Sequence, residues 1–536
     1  MLHEAYLQHL QSYFLSSCED RQFWKTLQTY ATEFMILTHL NLDPARELLE
    51  SLYSPVKRSP PRSPTSMIRS LLLMTHLKIP SITKWVKQTR TVPFFGILAG
   101  FKRNDTPGIG TYYDFFRRLV DGPYQKPCPH RVRESERLRG RHQRNLGAEK
   151  AAHLEQHDPS CPQSEKLANE LLANADKPRS QDLAKVLEDL LIKLAIIPTI
   201  QDGLVDEPHK LIVSGDGSIL ATAASPRGKT TCDCHAHGIH QCDHERSYTS
   251  PTAKWCYNSY RKCYVFGDRY YHLVLHQNGH DLPLLTLMPG GNESDFTLSL
   301  NAFDRFLKAA REHQLDLDIA VFCGDGHHDS QAHYRYFRQK DVSPVIPLAE
   351  NSKKTYPHLL DEQGVKLDTD GVPLCPQGMR MRHHQYQTRR HLHVYNCPAK
   401  RNTHRDGKSV YVMHPENCPQ KQDCAPESPL APLIYIKSDA DPRLYPPIPR
   451  DSDRFKEFFK ERSATERCNA LNDTYKLDHS SRNASYGLIR LNLANIVEHA
   501  VVRHLEAMKR ATREKLFVQS LHMIGIIYRE EFFNSG

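Results

Sequence analysis

Several absences narrow the possibilities for this chain. Its 536 residues contain no apolar run of 18, so no membrane-spanning helix is expected. The opening residues, Met1 to Ala5, lack the basic-then-apolar pattern of a secretory leader, which points to a protein working inside the cell. No internal repeat of fixed period occurs. A disulfide framework is also not expected: the 14 cysteines belong to a chain whose compartment keeps thiols reduced. Several cysteines lie beside histidines or one another, which points to metal. Acidic residues are outnumbered, with 71 Lys+Arg against 62 Asp+Glu and a formal charge of +9. That excess favours a polyanionic partner, because neutralising phosphates releases counterions.

The length exceeds one ordinary core, so two to four modules are expected. Residues 1–125 carry apolar positions at helical spacing and form a helical N-terminal unit for DNA binding or dimerisation. A proline-rich break at 54–64 interrupts it. The order helix, short turn, helix, then a basic aromatic helix at Thr111–Leu119 fits a helix-turn-helix DNA reader, and equally an all-helical packing module. Lys84, Lys87, Arg90, Arg117 and Arg118 are the candidate phosphate contacts, with ordinary solvated helix faces as the plain alternative. Residues 126–205 shift to a basic linker, dense in Arg from His130 to Arg144, followed by an amphipathic helix at Asp182–Ala195.

The informative stretch begins at Leu211. An apolar run there ends in Gly-Asp-Gly around Asp216, and the phrase returns at Ile319 to Gly326 around Asp325. β-type runs at 263–267, 271–276 and 282–288 lie between them, followed by a helix over 296–313 whose start, Asn292 to Asp295, offers capping residues. A helix over 329–338 and a strand over 343–348 follow the second aspartate. Three strands, helix, strand, helix, strand is the order of an RNase H-like α/β sheet, with the aspartates on adjacent first and fourth strands. Residues 206–348 are thus expected to form the first part of a catalytic core. A turn-rich, Pro/His/Cys-rich insertion with short strands spans 349–450. Residues 451–536 return to the core with a charged helical segment, Phe455 to Lys476, bearing Glu466, and a final amphipathic helix over 485–515.

Two aspartates and a glutamate delivered this way suit two divalent cations. Hard cations such as Mg2+ or Mn2+ take oxygen ligands, and phosphodiester chemistry uses them to activate a nucleophile and relieve charge on the leaving oxygen. Gly215, Gly217, Gly324 and Gly326 leave the backbone open around the carboxylates. Asp329 is expected to cap the next helix; His327 and His328 could touch DNA or orient water.

Here the sequence resembles the DDE-type insertion-sequence transposases of bacteria. Asp216 stands in Gly-Asp-Gly-Ser, Asp325 in Gly-Asp-Gly-His-His-Asp, and Glu466 in the run Phe459 to Asn469. In a large subgroup the glutamate lies in Tyr-x2-Arg-x3-Glu-x6-Lys. This chain has Phe459, Arg462 and Glu466 at the first three positions and Asp473 at the Lys position, with Lys476 one turn on as its replacement. These positions would share one helical face. The run from Pro107 through Thr111, Tyr112, Phe115, Arg118 and Leu119 resembles the helical domain preceding the core in that group. The resemblance implies a homo-oligomeric enzyme, cytoplasmic and nucleoid-associated, acting on double-stranded DNA. It would bind the terminal inverted repeats of its element, cut the ends, and join them to target DNA by transesterification. Arg462 and Lys476 would contact DNA. Two alternatives remain: a DNA-binding derivative without catalysis, and a metal-dependent nuclease without strand transfer.

Two cysteine clusters stand apart. Cys232, Cys234, Cys242 and His244 offer soft ligands suited to tetrahedral zinc, at a spacing unlike the standard fingers, against the plain alternative of a polar loop with free thiols. Cys375, Cys397, Cys418 and Cys424, inside the insertion, could hold a second structural zinc in a region with little apolar core.

Overall fold

The computed structural model describes residues 1–53, 61–122, 136–139, 163–240, 242, 244–258, 261–289, 294–349, 365–369, 371–405, 408–413, 433–439 and 441–527. It is a mixed α/β structure whose central sheet is mixed and flanked by helices, with a helical N-terminal region. No helix among the described residues is long and apolar enough to cross a membrane.

The sheet grows around one strand. β1 (Glu136–Arg139) precedes it in the chain and pairs elsewhere; β2 (Leu211–Ala221) lies at the centre. After β3 (Lys229–Thr230), β4 (Glu245–Tyr248) and β5 (Lys254–Asn258), the long β6 (Cys263–Gln277) runs antiparallel to β2, and β7 (His280–Leu287) folds back on β6. β8 (Ile319–Cys323) joins the other side of β2 in parallel, and β9 (Ser343–Val345) extends the sheet in parallel beyond β8. The resulting order is β5-β6-β2-β8-β9, with β7 also on β6. The helix Asp295–Glu312 makes the crossover from β7 to β8, as parallel neighbours require. The expected crossover helices and the strands at β7, β8 and β9 lie within a few residues of their expected places, but the runs at 263–267 and 271–276 form one strand, β6, and β3, β4 and β5 are not among the expected strands. One shift matters: β2 does not end at its aspartate but continues five residues to Ala221.

The expected amphipathic helix over 182–195 begins as predicted, Asp182 accepting the Lys185 amide as N-cap. Its apolar positions do not stop at Ala195. The helix passes through a π-helical turn at Ile192–Ile196 and ends at Gln201. Arg179, almost wholly buried, ties this helix to the crossover helix through Glu188 at 2.7 Å, Asp189 at 2.6 Å and Glu312 at 2.8 Å.

The C-terminal helix Ala484–Arg510 departs most from expectation. Its first half is buried on every side, from Gly487 to Val497, rather than along one stripe. The N-terminal helix Pro64–His76 packs on one flank and β7 on another, so no face remains for water. Pro64–His76 is itself buried along nearly its whole length, as a packing element is. Arg490 anchors the contact by donating to the carbonyls of Ile79 and Pro80. One apolar cluster therefore runs from Tyr6 to Ile524, taking in the N-terminal helices and the sheet.

In the stretch 349–450 the described strands are short: β10 (Arg382–Gln387), β11 (Leu392–Asn396), β12 (Lys400–Arg405), β13 (Lys408–Met413) and β14 (Leu433–Lys437). β10, β11 and β14 form one antiparallel sheet, and β12 with β13 form a hairpin.

Candidate functional site

The register of two parallel strands brings the aspartates together. Ser214 of β2 pairs with Cys323 of β8, and the pairing stops there. Asp216 lies two residues past Ser214 and Asp325 two past Cys323, so both project from the point where the strands part. β6 stays paired with β2, with His272 opposite Asp216, and this holds Asp216 in extended backbone. Asp325 instead caps a short 3-10 turn, accepting the His327 amide at 2.9 Å.

Two glycines of the first motif make room for other side chains. A Cβ on Gly215 would lie 2.2 Å from the Tyr271 hydroxyl, and one on Gly217 2.1 Å from Oδ1 of Asp295. Asp295 is the residue sequence reasoning missed, read only as part of a helix cap. It opens the crossover helix, Arg269 pairs with its Oδ2 at 2.5 Å, and its buried Oδ1 has no hydrogen-bond partner. The only signal in the sequence was a carboxylate at a helix start, which is common.

The electrostatics are unbalanced. Burial and the charge of Asp325, with a smaller push from Asp295, raise the Asp216 carboxyl to about 6. Asp325 goes the other way. Burial would raise it, but hydrogen bonds and charge from His328, and then from His327, hold it well below the usual carboxylate range. His328 is fully buried: its Nδ1 lies 2.7 Å from Asp325 Oδ1, and its Nε2 2.8 Å from the Tyr271 hydroxyl. His327 is exposed, with Nδ1 2.8 Å from Asp325 Oδ2, and that contact raises its pKa.

Glu466 reaches this region on a helix that differs from expectation. The segment Phe455 to Lys476 is not one helix but three short ones, Asp453–Lys460, Ser463–Asn469 and Leu471–Thr474. Tight i to i−3 bonds, such as Arg462 N–H to Phe459 O, separate the first two. Small buried residues Ala464, Thr465 and Cys468 let the middle helix lie close on the sheet, where the Thr465 hydroxyl donates to Ser214 Oγ at 2.6 Å. Glu466 adjoins that contact, two residues of β2 before Asp216. Its side chain is 54% exposed and pairs with Arg462 at 2.8 Å. Positions 459, 462, 466 and 473 therefore do not share a face of one continuous helix. Asp473 pairs with Arg261 at 2.7 Å; Lys476 is exposed and adopts a left-handed backbone.

Each of the three carboxylates leans on a local partner, and together they are not gathered as tightly as metal ligands. Among the described residues the one group of three or more ligand atoms all within 4.8 Å of one another is Cys232, Cys234, Cys242 and His244. That cluster could hold a metal such as zinc. Of the second cysteine set, Cys375 and Cys397 are buried among apolar residues of the insertion, while Cys418 and Cys424 lie outside the described residues.

Asp329 does not cap the following helix. Ser330 does, and Asp329 instead accepts two hydrogen bonds from Arg443, at 2.8 and 2.7 Å, and the Ala349 amide at 2.9 Å. Among the N-terminal basic residues, Lys84, Lys87 and Arg90 line the exposed face of the helix Ile82–Thr91, opposite buried Trp85, Val86 and Thr89. Arg117 pairs with Asp114 at 2.9 Å, and Arg118 stacks over Tyr53 at 4.7 Å, so both engage the protein itself. The basic segment 130–144 contributes β1, which pairs antiparallel with β4; the rest of it lies outside the described residues.

No protein-family model and no curated protein sequence matches this chain.

Proposed function

We propose that this chain is a DDE transposase with an RNase H-like core, in which Asp216, Asp325 and Glu466 bind two Mg2+ or Mn2+ ions. The observation that carries the reading is the convergence of Asp216 and Asp325 from adjacent parallel strands, close enough that one charge raises the pKa of the other. Strand order supports it as well: with the short β5 set aside, the antiparallel β2, β6 and β7 are followed by β8 and β9, parallel to β2 and reached by helical crossovers, with Asp216 on β2 and Asp325 just past β8.

The donor set fits a hard cation. It is oxygen-only, burial and the Asp325 charge leave the Asp216 carboxyl raised, and Asp295 adds a buried oxygen with no partner. Bound divalent metal supplies Lewis acidity, lowering the pKa of the attacking water or 3′-hydroxyl and offsetting charge on the departing oxygen. The protein positions the groups around that chemistry. His328, held by Tyr271, orients the Asp325 carboxylate; Arg269 orients Asp295; Thr465 fixes the Glu466 helix on β2. Arg462 neutralises Glu466 in the resting protein and would turn to phosphate when DNA and metal arrive. The exposed Lys84, Lys87, Arg90 and Lys476 would bind the DNA backbone. The substrates are the terminal inverted repeats of the protein's own element and a target duplex, engaged by a homo-oligomer.

The test uses duplexes carrying the inverted repeats that flank the coding sequence, with Mg2+ or Mn2+, and compares wild type with Asp325→Asn. Expected are nicking at the ends and joining to a plasmid, both lost in the variant. Binding of the ends without cutting by either protein would overturn catalysis in favour of a DNA-binding derivative. Cutting without joining, even when pre-cut ends with a free 3′-hydroxyl are supplied, would leave a nuclease.

A further inference from the structure

The Cys/His cluster lies away from the carboxylates, and its geometry follows from a hairpin. β3 and β4 pair in antiparallel register, Lys229 with Ser247 and Thr230 with Arg246, and the Thr231 hydroxyl continues the pattern by donating to the Glu245 carbonyl. Carrying this register onward sets Cys232 opposite His244 and Cys234 opposite Cys242. The first arm leaves extended backbone before Cys234, with Asp233 at φ −94°, ψ 4° and a 3-10 turn following, and the closeness of the two arms still brings all four ligand atoms within 4.8 Å of one another. The sulfurs of Cys232 and Cys242 are 3.6 Å apart, and Cys234 Sγ is 3.2 Å from His244 Nδ1. Ligands about 2.3 Å (S) and 2.0 Å (N) from a tetrahedral zinc stand roughly 3.5–3.8 Å from each other. The turn between the arms closes at Cys234–His237 with Gly238 in the left-handed region, φ 76°.

Among the described residues, no apolar core closes the turn of this hairpin. β3 is two residues long, and no described residue between 231 and 244 is buried. Two-stranded ladders without an apolar face are marginal in water, and small regions without a core rely on metals or crosslinks. Yet β4 is the middle strand of a three-stranded sheet whose other edge is β1, drawn from the basic segment after the N-terminal helices.

We propose that Cys232, Cys234, Cys242 and His244 bind one Zn2+ that clasps the β3–β4 hairpin and so maintains the strand on which residues 136–139 of the basic segment are held. Three thiolates and one imidazole make a closed structural site with no open position for substrate. The proposal does not rest on the transposase reading: a chain that neither cuts nor joins DNA would still carry this zinc.

The test is made on the full-length protein, purified reduced and without chelator. Metal content is compared between wild type, Cys234→Ser/His244→Ala, and Cys375→Ser, which reports separately on any zinc in the insertion. The expected result is one zinc equivalent fewer in the double variant than in wild type. Co2+-loaded wild type should show thiolate-to-metal absorption and intense tetrahedral d–d bands, both reduced in the double variant. In wild type, stripping zinc should speed amide exchange at Glu136–Arg139 and Glu245–Tyr248 by about tenfold or more and leave β2 and β8 unchanged. This second measurement needs no variant to fold. Equal zinc in wild type and the double variant would overturn the site, as would a thiol count showing Cys232 and Cys242 joined as a disulfide in protein that contains no zinc. Unchanged exchange at both strands on zinc loss would overturn the clasp.

Discussion

The carboxylate cluster and the Cys/His hairpin are built on opposite principles. The first brings Asp216, Asp295 and Asp325, each from a different element of the sheet-and-helix core, into one electrostatic field, while the exposed Glu466 lies on a helix packed on the same strand. The second gathers soft donors within 13 residues of chain, in a turn where no described residue from 231 to 244 is buried. In the first, burial and then the neighbouring Asp325 charge raise the Asp216 pKa, so the ionised pair is disfavoured. In the second, the ligands themselves are the means by which the loop is held. A rigid core can store electrostatic strain that a cation relieves; a coreless loop has no such reserve and depends on its metal for shape.

The comparison can be broken most sharply at Asp325. Asp325→Asn should lower metal-dependent DNA cleavage by about 10³-fold or more, since several kcal/mol of transition-state stabilisation depend on the bound metal. Retained cleavage would move the chemistry elsewhere.

The stored repulsion has its own signature. Asp216 has a folded pKa near 6, above its ordinary value of 3.8, so the folded state favours the protonated acid. The associated stability is fully present below about pH 4 and lost as pH rises through about 6, a decline on the order of 1–3 kcal/mol in protein without divalent metal. Urea unfolding of wild type and Asp216→Asn across pH 4–8, with and without Mg2+, measures it. The variant should flatten the decline and Mg2+ should reverse it; identical profiles for the two proteins would mean that Asp216 is not strained.

Glycine substitutions separate the two regions by mechanism. Gly217→Ala places a methyl 2.1 Å from Asp295 Oδ1 and should destabilise by about 1–3 kcal/mol through overpacking in the core. Gly238→Ala meets no atom within 4 Å but demands a left-handed backbone, and should cost about 1 kcal/mol, confined to the hairpin. Global unfolding should sense the first, and local exchange at β4 the second.

The smallest effects belong to the exposed basic face. Lys84→Ala, Lys87→Ala and Arg90→Ala should each reduce the slope of log affinity against log salt for duplex DNA by about 1, measured by fluorescence anisotropy. Arg117→Ala should change that slope less, because its charge is already paired with Asp114. Equal slopes for all four variants would remove the distinction between free and engaged cations.

Much of the sheet was legible in advance because its strands are written in apolar runs bounded by Gly, Asn and Pro, and its helices in periodic spacing. The hairpin ligands were legible for a similar reason: they are close in the chain. What escaped was long-range. Asp295 read as a cap because its significance depends on Gly217, 78 positions away. The Glu466 segment read as one helix because its periodicity is nearly continuous, and only the fit of Ala464, Thr465 and Cys468 against β2 and β6 accompanies the break. Arg117 and Arg118 looked like phosphate ligands because the partners that engage them, Asp114 and Tyr53, could not be assigned from composition. The helix Ala484–Arg510 looked amphipathic throughout, yet packing against β7 and the Pro64–His76 helix buries its first half on every side.

By itself, the sequence determined the principal strands and helices of the sheet, the residue types offered to metals, and the nearness in the chain of Cys232, Cys234, Cys242 and His244, since each depends on covalent spacing or local periodicity. Only the tertiary structure decided which carboxylates share a field, which arginines remain free, and that the N-terminal helices and the sheet pack as one core. Apart from the Arg117–Asp114 pair, those outcomes depend on contacts between residues far apart in the chain, set by the packing of whole elements and encoded in no local pattern.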